Sequence, residues 1–139
     1  MNTQETILQL EGLKLKGMAE CYKALQAIPV NEWPTVDMFV AWLAEAEQQY
    51  RNRKRTEMYL KTSKLRYNAV FEDIICSEER NLSKDTLLKL MDCSFIDRAE
   101  NVLIDGKTGC GKSFLACAIG RQACFLGHRV EYFSMNKFI

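Results

Sequence analysis

Asn101-Val102-Leu103-Ile104-Asp105-Gly106-Lys107-Thr108-Gly109-Cys110-Gly111-Lys112-Ser113 is the stretch on which the reading of this 139-residue chain turns. Its first five residues form a short apolar run of the kind that makes a buried parallel strand, and the next eight match G-x-x-x-x-G-K-[ST] without a break. A helix former runs on from Ser113 to Leu126, with Gly127 as a left-handed residue just past its end, and Arg129-Val130-Glu131-Tyr132-Phe133 reads as a second strand. Strand, glycine loop, helix and strand make up the βαβ unit that a phosphate-binding loop requires.

Each loop residue has a physical task. Gly106, Gly109 and Gly111 let the backbone take positive φ and turn its N–H groups toward phosphate oxygens, while the helix that follows adds the positive end of its dipole. Lys112 supplies a point charge along the phosphate chain, and the Ser113 hydroxyl suits Mg²⁺, a hard cation that prefers oxygen. The expected nucleotide-binding residues are Gly106, Lys107, Thr108, Gly109, Cys110, Gly111, Lys112, Ser113 and Phe114, with ATP and Mg as ligands and Ser113 as the metal contact. Gly120, inside the helix, costs ~1 kcal/mol relative to alanine, so it is expected to serve close packing of the helix on a strand.

Phosphoryl transfer also needs a group that organises metal and water. Glu131 is the one carboxylate between Phe114 and Ile139, and it lies within the second expected strand rather than at the end of a third. These 139 residues are therefore expected to bind ATP without turning it over, and no catalytic residue can be named.

Net charge is +1, but it is unevenly spread. Residues 1–47 carry three Lys against seven Asp or Glu, and residues 48–67 carry seven Lys or Arg against Glu57. The six cysteines contain no C-x-x-C pair and there is one histidine, which argues against a zinc site of the usual Cys and His spacing. No secretory signal or long apolar span is visible, so the expected compartment is a reducing cytoplasm with no membrane contact.

The N-terminal part reads as helical. Ile7, Leu8, Leu10 and Leu13 have near-helical spacing, Gly12 and Gly17 bracket a turn, and Leu15, Met18, Tyr22 and Leu25 continue the pattern. Pro29 and Pro34 frame a loop around Trp33. Thr35 is the expected N-cap of a long helix whose apolar stripe holds Phe39, Val40, Trp42, Leu43 and Ala46. Trp33 and Trp42 are expected as loop and core anchors rather than stacking platforms.

Arg51, Arg53, Lys54, Arg55, Lys61, Lys64 and Arg66 follow, interleaved with Tyr50, Tyr59 and Tyr67. Two readings stay open: contacts to nucleic-acid phosphates, or a solvated helix end whose cations suit the helix dipole. After Tyr67 the composition changes, and Ser83 is the expected N-cap of a helix carrying Leu87, Leu88, Leu90 and Met91. The expected division is a helical module over 1–67 and the first part of a P-loop domain over 68–139.

Three segments together carry a family resemblance. Leu13-Lys14-Leu15-Lys16-Gly17-Met18-Ala19-Glu20, then Leu43-Ala44-Glu45-Ala46-Glu47 with Arg51 and Ser63-Lys64-Leu65-Arg66-Tyr67, and finally Asn101 to Gly120 resemble the IstB-like transposition helper ATPases, kin of the DnaC-like helicase loaders. The resemblance implies an α + α/β chain: a helical module followed by an incomplete AAA+ type parallel-sheet domain. It also implies an intact parent that oligomerises on duplex DNA in its ATP state and assists a transposase. Ser113 replaces the commoner threonine, Lys107 stands where proline is frequent, and Cys110 occupies a variable position. The Walker B carboxylates, sensor residue and arginine finger that the family carries further along have no counterpart here. A DnaC-like helicase loader and a non-enzymatic DNA-binding or oligomerisation module are the competing expectations.

Overall fold

The computed structural model describes residues 2–76, 81–107, 109 and 111–134, and these are mostly helical. They form two compact units, Met1–Arg55 and Thr56–Ile139, that divide inside one long helix.

In the first unit α1 (Thr3–Gly12) opens with a capping box. The Glu5 backbone N–H donates to Asn2 Oδ1 at 2.7 Å, and the Asn2 N–H donates back to the Glu5 carboxylate. The helix ends where Lys14 takes φ 62°, with Lys14 N–H on the Glu11 carbonyl and Leu15 N–H on the Leu10 carbonyl. That is the turn expected between Gly12 and Gly17. It reverses the chain into α2 (Lys16–Gln26), and Ile7, Ala19 and Leu25 are buried in this unit.

The long helix α3 (Val36–Ser63) starts as expected at Thr35, whose hydroxyl accepts from Met38 N–H at 3.3 Å. Its apolar stripe is only partly covered. Phe39 lies against Tyr22 with ring centroids 6.2 Å apart, while Val40 and Trp42 face solvent, so Trp42 is not the core anchor expected of it. Trp33 does anchor its loop, through Nε1–H to the Ile28 carbonyl at 2.9 Å.

The second unit takes the last turns of α3 and adds α4 (Lys84–Met91), α5 (Ser94–Asp97) and α6 (Lys112–Phe125). Ser83 caps α4 as expected, accepting from Thr86 N–H at 3.1 Å. At the other end of α6, Gly127 N–H bonds the Cys124 carbonyl and His128 N–H bonds the Ala123 carbonyl, the paired closure that a left-handed glycine permits. Ala69, Phe71, Leu87, Cys117 and Ala118 form the core, with Leu65, Leu90, Phe114 and Tyr132 packed around it.

Residues 101–105 and 129–133 were expected as strands, and neither is one; no β-strand occurs among the described residues. A strand exists only as a member of a ladder, and a parallel one needs both faces covered. Leu103 is 91 % exposed, so this run has no such cover. The second segment is held instead by Tyr132 N–H on the carbonyl of Ser63, at the end of α3.

Candidate functional site

The glycine loop leads into α6 through Gly111, whose φ is 88°. Gly109 has φ 85°, and at both positions an added Cβ would meet nothing within 4 Å. Conformation rather than crowding therefore selects glycine here: an L side chain is strained in that region wherever it points. Gly111, at the N-cap position of α6, has no side chain to offer the first turn, whose N–H groups are directed out of the helix.

Lys112 Nζ donates to the Gly106 carbonyl at 2.7 Å, so the cation folds back over its own loop. Gly111 and Lys112 also line a cavity of about 440 Å³ whose other walls include Ile74, Ile75, Leu82, Leu90, Phe114 and Leu115. The expected loop residues thus divide as follows. Gly111, Lys112 and Phe114 line the cavity; Gly106, Lys107, Gly109 and Ser113 are exposed; Thr108 and Cys110 lie outside the described residues. The open glycine cradle, the glycine-led helix start and the lysine over the loop suit a phosphate chain, and Ser113 carries the hydroxyl a hard cation would take. Among the described residues no group of three or more His, Cys, Asp or Glu could hold a metal ion by itself.

Sequence reasoning had no access to the cavity walls, because Ile74, Ile75, Leu82 and Leu90 come from segments far from the loop. It also missed the ring that packs on Phe114. The Tyr67 ring packs on the Phe114 ring, centroids 6.2 Å apart and planes at 48°. Gly120 does serve close packing, with Leu65 Cδ2 3.0 Å and Val130 Cγ1 3.3 Å from where its Cβ would stand, but not against a strand, since neither neighbour lies in one.

The expected nucleic-acid contacts fall in both units. In the first, Arg51, Arg53, Lys54 and Arg55 are exposed, and Arg53 and Lys54 lie over the Tyr50 ring at 5.4 and 5.6 Å. Arg51 differs from its neighbours. Its Nε–H donates to Glu47 Oε2 at 2.7 Å, and Glu47 is buried. Burial pushes the Glu47 carboxyl up, but the Arg51 guanidinium and the N–H groups of Met18 and Gly17 outweigh it and hold its pKa below the usual value. The i,i+4 spacing of Glu47 and Arg51 is the one signal that could have revealed this pair. In the second unit Lys61, Lys64 and Arg66 are exposed, and the Arg66 guanidinium lies 5.2 Å from the Tyr67 ring centroid. No helix among the described residues is long and apolar enough to cross a membrane.

Comparison with known proteins matches residues 8–139 to the family described as IstB-like ATP binding protein. The chain is 35 % identical over its whole length to the insertion sequence IS1162 ATP-binding protein of Pseudomonas fluorescens, of which it covers 61 %. It is 37 % identical over 96 % of its length to the insertion sequence ATP-binding protein y4uH of Sinorhizobium fredii, covering 54 % of that protein. Against the IS5376 ATP-binding protein of Geobacillus stearothermophilus it is 28 % identical over 91 % of its length and covers 51 %. The chain thus spans little more than half the length of the curated relatives it matches.

Proposed function

The chain belongs to the IstB-like ATP binding protein family, and we propose that it is an ATP-binding helper for DNA transposition. The observation that carries this reading is the glycine loop feeding α6 through Gly111 beside the 440 Å³ cavity, with Lys112 already folded over the loop. Backbone N–H groups and Lys112 bind the phosphates of ATP, and Ser113 holds Mg²⁺. The apolar walls at Ile74, Ile75, Leu82 and Leu90 suit the faces of a base.

In this reading the loop is a Walker A element. Residues 101–105 and 129–133 join a parallel AAA+ type sheet once ladder partners cover them, and residues up to about 67 form the helical module. The intact protein assembles on duplex DNA and assists a transposase, with Arg53, Lys54, Arg55, Lys61, Lys64 and Arg66 on backbone phosphates. Arg51 joins them in this reading, with Glu47 as its partner within the chain. The relatives' names all refer to insertion sequences, which favours transposition over helicase loading.

Titration of the full chain with a fluorescent ATP analogue tests the nucleotide assignment. Wild-type protein should bind and Lys112→Ala should bind weakly; equal affinity for the two would refute it.

A further inference from the structure

Arg51 and Arg55 stand one turn apart on the same face of α3, inside the first unit, and both are exposed. They are not equivalent. Arg55 has no ion pair among the described residues, whereas Arg51 Nε–H donates to Glu47 Oε2 at 2.7 Å. The two side chains of that pair differ in freedom: Arg51 is 65 % exposed and Glu47 11 %.

The carboxylate is the fixed member. Its other oxygen, Oε1, accepts the backbone N–H groups of Gly17 and Met18 at the start of α2. Departure of Arg51 would leave a buried negative charge without its cation, which costs more than parting two solvated side chains. Arg51 is therefore held by an anion that cannot follow it into solvent. A DNA phosphate offers the guanidinium the same kind of contact, a charge-assisted hydrogen bond to an anionic oxygen. Carboxylate and phosphate compete for one cation.

We propose that Glu47 restrains Arg51 as a DNA contact, so that the basic stretch of α3 binds duplex with one cation fewer than its sequence counts. The inference rests on the DNA reading above and adds to it a residue outside the basic stretch that sets the strength of the stretch. A guanidinium already balanced by a carboxylate neutralises little phosphate charge. Each phosphate left unneutralised lowers the slope of log affinity against log salt by about 0.9.

Glu47→Gln separates the two tasks of this side chain. The glutamine carbonyl oxygen still accepts from Gly17 and Met18, while its uncharged amide group meets the Arg51 Nε–H donor to donor. The cap persists and the guanidinium is released.

The test measures binding of a fluorescent DNA duplex by anisotropy at several salt concentrations. It uses the full chain as wild type, Glu47→Gln, Arg51→Gln and the double variant, with Arg55→Gln as the reference for an unrestrained cation. Glu47→Gln should tighten binding roughly threefold or more at low salt and steepen the slope by up to about 0.9. Adding Arg51→Gln should cancel that gain. A gain that persists in the double variant comes from net charge alone and overturns the inference, as does a folded Glu47→Gln protein that binds no tighter than wild type. Thermal melts show whether Glu47→Gln folds. If it does not, Arg51→Gln against Arg55→Gln decides: the first should flatten the slope clearly less than the second, and an equal loss overturns the inference. Wild-type protein that does not bind duplex overturns the DNA reading first and the inference with it.

Discussion

Glu47 Oε1 accepts the backbone N–H of Gly17 at 3.0 Å, thirty residues away in sequence, and that of Met18 at 3.2 Å. Leu15, at the N-cap position of α2, has no side-chain oxygen to offer the first turn. A carboxylate from α3 supplies the missing cap from across the helix contact, where it also meets the positive end of the α2 dipole. Arg51 balances its second oxygen.

Removing this cap should loosen the first unit. Glu47→Ala leaves two donors without their acceptor and the Arg51 guanidinium without its partner, and should cost about 2 kcal/mol. The loss would be read in chemical denaturation of the full chain, with Arg51→Ala costing less because that side chain is largely solvated.

The same carboxylate makes a pH prediction. Its folded pKa lies below the ordinary value of 4.5, so its contribution is fully present above that value and is lost as pH falls through the folded pKa. The difference in melting temperature between wild type and Glu47→Gln should therefore be constant from neutral pH to about 5 and close at lower pH. A difference that grows on acidification would contradict the assignment.

Gly17 is where α2 touches α3. An added Cβ would stand 2.6 Å from the Ala46 carbonyl oxygen and 2.8 Å from Glu47 Cα, both backbone atoms that cannot swing aside. Gly17→Ala should destabilise the chain by about 2 kcal/mol or more despite the better helix propensity of alanine. Gly12→Ala, with nothing within 4 Å of the added carbon, is the matched control.

At the nucleotide loop, Lys112→Ala removes the cation that now rests on Gly106. Loss of a charge-assisted contact to phosphate should weaken ATP analogue binding by roughly 10- to 100-fold. Isothermal titration of both proteins, in magnesium, would measure it.

On α3 the triple change Arg53→Ala, Lys54→Ala and Arg55→Ala should weaken duplex binding about equally across sequences. It should also reduce the slope of log affinity against log salt by up to about 3. Gel shifts at several salt concentrations provide both readings; an unchanged slope would leave this stretch as a solvated helix surface.

Local chemistry wrote much of this protein directly into its sequence. The caps at Thr35 and Ser83, the turn before α2, the glycine closing α6 and the closure of Lys112 on Gly106 each depend on a few neighbouring residues, because their hydrogen bonds span three to six positions. Strand formation was not decided that way. Residues 101–105 have the composition of a buried strand, yet pairing and cover come from other chain segments, and no stretch of five residues can specify them alone. The same holds for the side chains that matter most to the site. Glu47 as a cap for α2 and Tyr67 against Phe114 are relationships between distant positions. Only tertiary packing could create them, since each requires two elements to be brought within a few ångströms of one another.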